Sequence, residues 1–146
     1  MKKEVLTFLL LFPLTVMAQS NKTVTEAYLQ SFADAFNAHD IKAIMSLMTN
    51  DCVFEASAGP DVVGEKFTGQ EQVKKAFEDV FANFPDAQWN NPRHFIAGNR
   101  GVSEWTFTGT RKDGTKVEVT GCDLFTFKDG KIAVKNSYRK NRIAAK

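Results

Sequence analysis

Residues 102–132 read VSEWTFTGTRKDGTKVEVTGCDLFTFKDGKI, two long alternating runs folded about Asp113-Gly114. Alternation with a period of two in stretches rich in Val, Thr, Phe and Trp dictates strands. Asp-Gly between them signals a hairpin, because glycine takes the positive φ of the turn at no steric cost. With the turn centred between Asp113 and Gly114, the predicted register sets Val102 opposite Phe125, Glu104 opposite Asp123, Thr106 opposite Gly121 and Thr108 opposite Val119. Directly opposed side chains have Cβ atoms roughly 5 Å apart, and like charges at that spacing destabilise unless something compensates them. A carboxylate pair on an otherwise apolar, small-residue face makes Glu104 and Asp123 the candidate catalytic residues.

The chain has 146 residues and opens MKKEVLTFLLLFPLTVMA. Lys2 and Lys3, then an apolar run to Met17, then Ala18 give the pattern of a secretory signal peptide over residues 1–18, cleaved near Ala18. The apolar run is too short for a membrane span, and polar QSNKT follows it. No cysteine lies at the junction to carry a lipid. The expected location is therefore secreted or periplasmic, and residues 19–146 form one domain with a real core. Without Lys2, Lys3 and Glu4 the chain keeps 17 basic and 16 acidic residues, a balance that argues against nucleic acid as the main partner. The tail after Asp129 is the local exception, with Lys131, Lys135, Arg139, Lys140, Arg142 and Lys146 and no acid among them. It reads first as a solvated strand face and second as an anion-binding patch. Cys52 and Cys122 read as a buried thiol and an opposite-face thiol rather than as a disulfide, although an exported chain permits one.

Apolar residues at Val24, Ala27, Tyr28, Phe32, Ala35 and Phe36 have helical spacing. Asp40 is the natural N-cap of a second, short helix carrying Ile41, Ile44, Met45, Leu47 and Met48. CVFEAS follows as a strand, AGPDVVGEKFTG as an irregular loop, and residues 70–84 as a third helix stopped by Pro85. Strands are expected over residues 88–97, 102–110, 116–127 and 131–138. This order gives an α+β fold, helices laid on one face of a curved sheet. Two histidines make a metal site improbable, and no glycine-rich phosphate or dinucleotide fingerprint is present, so no cofactor is expected.

The order of elements, together with YLQSFADAFNAHDIKAIMSLMTNDCVFEAS and GCDLFTFKDGKI, resembles the SnoaL-like (polyketide cyclase-like) branch of the nuclear transport factor 2-like superfamily. That resemblance implies a cone-shaped half-barrel whose curved, mostly antiparallel sheet has three N-terminal helices packed on its concave face. It further implies an apolar pocket and a homodimer formed through the outer sheet face. Asp123 matches an aspartate that polyketide cyclases and ketosteroid isomerases keep in this strand. The isomerase base falls at Ala56 and its oxyanion tyrosine at Phe32, so the steroid isomerase reaction is not expected. Arg111 stands where ester-type cyclases carry a histidine, and KNSYRKN replaces their closing Trp-x-x-x-Asp, removing a polar pocket group.

With Asp123 facing the pocket, the register places Glu104, Val102, Thr106, Phe125 and Phe127 there too. Trp105, Phe107, Cys122 and Leu124 then form the outer face, with His94 beside Trp105. A second hairpin about Asn99-Arg100 brings Phe95 opposite Glu104 and Arg93 diagonal to it. The expected site is a cluster of Arg93, Glu104 and Asp123, walled by Phe32, Phe36, Phe54, Phe77, Phe81, Phe95 and Phe125. Either the arginine compensates both carboxylates, or one carboxyl keeps its proton and donates to a ligand oxygen, as enolate chemistry requires. An aromatic wall suits a small hydrophobic or cyclic molecule. Two functional readings stay open: a cofactor-independent cyclase, isomerase or hydratase, and a non-catalytic dimeric binding or interaction module.

Overall fold

The computed structural model describes residues 23–142, so the expected signal peptide and Lys146 lie outside the described residues. The chain runs α1 (Glu26–Asn37), α2 (Ile41–Ser46), β1 (Met48–Glu55), β2 (Lys66–Thr68), α3 (Gln70–Asn83), β3 (Gln88–Ala97), β4 (Arg100–Thr110), β5 (Lys116–Lys128) and β6 (Lys131–Arg139). The fold is α+β, as expected: three helices on a six-stranded sheet ordered β2-β1-β6-β5-β4-β3. Every neighbouring pair is antiparallel except β1 with β6, which run parallel. The Thr25 hydroxyl caps α1 by accepting from the Tyr28 N–H at 3.3 Å, and the Asp40 carboxylate caps α2 by accepting from the Ala43 N–H at 2.9 Å. Most ends fall within two residues of expectation, and two segments differ in kind. Leu47 ends α2 and Met48 already opens β1, while residues 66–68 of the irregular segment pair with β1 as an edge strand.

Between the helices and the sheet lies the main core, in which Leu29, Ile44, Met48, Val73, Phe77, Phe125 and Ile132 are fully buried, and a smaller cluster gathers Ala87, Trp105 and Phe107. The amphipathic faces of α1 and α3 supply Phe32, Phe36 and Phe77 to the main core. Ring pairs extend the packing, with centroids 5.0 Å apart for Phe32 and Phe36 and 4.9 Å apart for Phe36 and Phe77.

The long hairpin forms, but one residue out of the predicted register. Ser103, not Glu104, lies opposite Asp123, and Glu104 lies opposite Cys122. The Gly114 N–H donates to the Arg111 carbonyl and the Arg111 N–H to the Thr115 carbonyl, both at 2.9 Å. This closes a three-residue loop of Lys112, Asp113 and Gly114, with Gly114 at φ 84°. Such a loop is a turn followed by a left-handed glycine, an odd length where a two-residue turn is even. A shift of one flips every side chain of a strand to its other face. Relative to Asp123, β4 is therefore inverted: Ser103, Trp105 and Phe107 are buried inward, and Val102, Glu104 and Thr106 face outward.

The β3–β4 hairpin also differs, but by two residues, which preserves faces. Arg93 is directly opposite Glu104, Phe95 opposite Val102 and His94 opposite Ser103. A bulge at Asn91 and Pro92, with Asn91 at φ 53°, separates this stretch from the Gln88–Asn90 pairing.

Candidate active site

Asp123 is the buried carboxylate on the concave face, and every partner it has comes from a neighbouring strand. Its Oδ1 accepts from Lys135 Nζ at 2.6 Å and from the Ser137 hydroxyl at 2.5 Å, while Oδ2 accepts from Trp105 Nε1 at 2.9 Å. Lys135 Nζ also donates to Ser137 Oγ at 2.7 Å. Strand geometry explains the convergence. Ser137 lies directly opposite Asp123 across β5 and β6, Lys135 is two residues before it on the same face, and Trp105 is two residues beyond Ser103 on β4. The side chains of Lys135 and Asp123 are only 6% and 7% exposed. An ion pair so desolvated holds because its charges match and the remaining lone pairs of the carboxylate are hydrogen-bonded. Lys135 Nζ further lies 5.6 Å from the Phe36 ring centroid and 5.0 Å from that of Phe54.

A cavity of about 340 Å³ opens beside this cluster. Phe36, Phe54, Phe67, Phe77, Phe84, Trp89, Trp105 and Phe107 wall it, Ala56 and Ala76 leave room in it, and Lys135 and Ser137 form its polar end. Ser57, Glu65, Asp79, Asn83 and Arg139 stand at its exposed rim. Asp123 does not line this cavity. It borders a separate void of only about 20 Å³, with Phe32, Phe125 and Lys135. The carboxylate thus sits behind Lys135, Ser137 and Trp105.

The other expected site residues divide by face. Phe36, Phe54 and Phe77 line the cavity; Phe32 and Phe125 border the small void; Phe81 packs among Phe36, Trp89 and His39. Glu104, Arg93, Val102, Thr106 and Phe95 are all on the opposite, outer face, for the register reason given above. The Arg93 and Glu104 ion pair does form, at 2.6 Å, but with side chains 74% and 46% exposed. A broad solvent-open recess of about 820 Å³ runs along that face past Arg93, Glu104, Thr106, Cys122 and Tyr138. Trp105 and Phe107, expected outside, are inside. His94 is inside too: Nδ1 is 2.7 Å from Ser103 Oγ and Nε2 is 3.2 Å from Gln30 Oε1. Burial pushes its imidazole below the ordinary histidine value, against the pull of Glu26 and Asp34. His39, expected in solvent, stacks on Phe81 at 4.2 Å and has Nε2 2.9 Å from the Ala87 carbonyl. Cys52 and Cys122 are both free, and burial raises both thiols.

Lys135 and Ser137 are site residues that the sequence does not mark, and they belong to the very KNSYRKN segment whose divergence implies a loss of polarity. Counting back from the Asp129-Gly130 turn pairs Asp123 with Asn136. An irregularity between Thr126 and Phe127, opposite Ala133, shifts the pairing by one and brings Ser137 to Asp123 instead. Only the spacing of Lys135 and Ser137, two apart on one strand, is visible in the sequence. Among the described residues no group of three His, Cys, Asp or Glu is placed to hold a metal ion.

Residues 29–135 match the SnoaL-like domain family. Among similar solved structures is a candidate polyketide cyclase from Xanthomonas campestris pv. campestris, 18% identical, covering 82% of this chain and 92% of its own with a TM-score of 0.71. Another is a hypothetical protein of ketosteroid isomerase-like fold from Catenulispora acidiphila in complex with trimethylamine, 20% identical, covering 80% and 86% with a TM-score of 0.69. A third is TerC co-crystallised with polyporic acid, 21% identical, covering 79% and 90% with a TM-score of 0.66. No curated protein matches the sequence.

Proposed function

This chain belongs to the SnoaL-like domain family, and from that premise we propose that it binds a small, flat or cyclic hydrophobic molecule between α3 and the concave face of the sheet. The observation that carries this reading is the aromatic-walled cavity of about 340 Å³ ending on a buried Lys135–Asp123–Ser137 cluster. Apolar walls with a few convergent polar groups are what a ligand site requires: area for affinity, polar atoms for orientation. The co-crystallisation of TerC with polyporic acid supports the same class of ligand.

Acid–base chemistry of the cyclase, isomerase or hydratase kind is the finer part of the proposal. A proton moving between Asp123 and a ligand in the cavity passes through Ser137 or Lys135, since both stand between them. The alternative, a non-catalytic binding module, is favoured by one specific observation: the space beside Asp123 itself is about 20 Å³, room for one water. Export and removal of residues 1–18 remain part of the reading, supported by the sequence; no described helix is long and apolar enough to cross a membrane. Assembly through the outer sheet face is supported by Phe95 and Tyr138, which are 53% and 51% exposed there.

The test is binding of the neutral fluorophore N-phenylnaphthylamine to the mature protein, alongside mass spectrometry of whatever small molecule co-purifies. Ala56→Trp, which fills the cavity and leaves both charges of the ion pair in the chain, should lower binding at least about tenfold. Equal binding by this variant would place the probe elsewhere and sink the proposal.

A further inference from the structure

We infer that Lys135, not Asp123, is the group that meets the ligand, and that the site selects neutral compounds bearing a carbonyl oxygen over carboxylates of the same shape. The inference rests on the cavity being the binding site and goes on to name what that site accepts.

Three observations carry it. Asp123 is spent: Oδ1 takes two donors, Oδ2 takes the Trp105 N–H, and the carboxylate does not reach the main cavity. Ser137 is spent as a donor too, its hydroxyl proton being given to Asp123. Lys135 is not. It lines the cavity, and its ammonium has three N–H donors of which two are engaged, with Asp123 and Ser137. The Phe36 and Phe54 rings beside it also wall the cavity, so a ligand ring stacked among them brings its substituent to Nζ.

Charge then decides the ligand class. The positive charge of Lys135 is already matched one to one by Asp123. A carboxylate pressed against Nζ would bring a second anion close to the first in apolar surroundings, where an unmatched charge is costly. A neutral carbonyl oxygen accepts the third N–H and adds no charge. Glu65 and Asp79 at the rim, the latter also paired with Lys75, extend the bias against anions. Arg139 opposes it, but from an exposed position where solvent screens its pull.

A matched series tests this: naphthalene, acetylnaphthalene and naphthoate, each displacing N-phenylnaphthylamine from the mature protein. Acetylnaphthalene should bind about tenfold or more tighter than naphthalene, the gain expected of a hydrogen bond from a charged donor, and naphthoate weaker than acetylnaphthalene. In the double variant Lys135→Met with Asp123→Asn, which leaves no buried charge unpaired, naphthalene should still bind and the ketone preference should vanish. Asp123→Asn alone leaves Lys135 unmatched, so naphthoate should overtake acetylnaphthalene. Equal affinity for ketone and hydrocarbon, or naphthoate binding tightest to the unaltered protein, overturns the inference while leaving the cavity as a binding site. A fluorophore that binds but is displaced by none of the three overturns the binding-site reading, and the inference falls with it.

Discussion

Lys135 and Asp123 reach each other from neighbouring antiparallel strands, β6 and β5, and form a 2.6 Å ion pair whose side chains are more than nine-tenths buried. Its energetic asymmetry is the first thing to test. Removing one partner strands the other charge in the core, and Lys135→Met should cost about 3–5 kcal/mol. Removing both charges, Lys135→Met with Asp123→Asn, should recover much of that loss. Urea unfolding of the three proteins measures the difference, and a double variant no more stable than the single one would show that the pairing is not what holds Lys135 inside.

The outer pair should behave in the opposite way. Arg93 and Glu104 are largely exposed, so Glu104→Gln should change stability by less than about 1 kcal/mol. It should also leave fluorophore binding in the cavity unaltered. A binding loss comparable to that of Ala56→Trp would return Glu104 to the site.

Gly121 faces Trp105 across β4 and β5, and a Cβ there would lie 2.3 Å from the Tyr138 carbonyl oxygen and 2.4 Å from the Trp105 ring. Neither contact is tolerable, and one is to backbone. Gly121→Ala should destabilise by about 1–3 kcal/mol and shift tryptophan emission, because the ring that donates to Asp123 has to move. Unchanged stability with unchanged emission would mean that the strands part more easily than their packing implies.

Burial holds His94 below the ordinary histidine value, so the unfolded chain takes up its proton first as the pH falls. The stability it contributes is present above about pH 6.5, the unfolded value, and is lost as the pH drops through the lower folded one. His94→Gln should flatten this limb of the stability–pH curve. A second limb lies below the ordinary aspartate range, where Asp86, held low by the Thr110 N–H and hydroxyl, loses its negative charge. Thermal melts between about pH 8 and pH 5 isolate the first limb, and a His94→Gln curve with an undiminished slope just below about pH 6.5 would remove His94 as the cause.

Elements were legible from local chemistry alone. Helical spacing marked α1 and α3, Asp40 marked the start of α2, and alternation marked β3 to β6, because each signal depends on residues close in the chain. Asp123 was legible twice, through a hairpin register that proves one residue out and through a family resemblance. Its partners were not. Trp105 was assigned to the wrong face because Asp113-Gly114 is compatible with both a two-residue and a three-residue loop. Lys135 read as part of a basic, solvated tail because burying a lysine is paid for by a carboxylate twelve residues away that local pattern does not reveal.

By itself the sequence determined the order of the helices and of every strand but the short edge strand β2, the length of the long hairpin, the aromatic supply of the core and the family. The tertiary structure decided which side of each strand faces that core. The physical reason is the period of two in a β-strand: a single extra loop residue after Thr110, and one irregular residue on β6, each shift the pairing by one. Those shifts exchange Glu104 for Ser103 and Asn136 for Ser137 opposite the same aspartate, and turn the Trp105 N–H toward it.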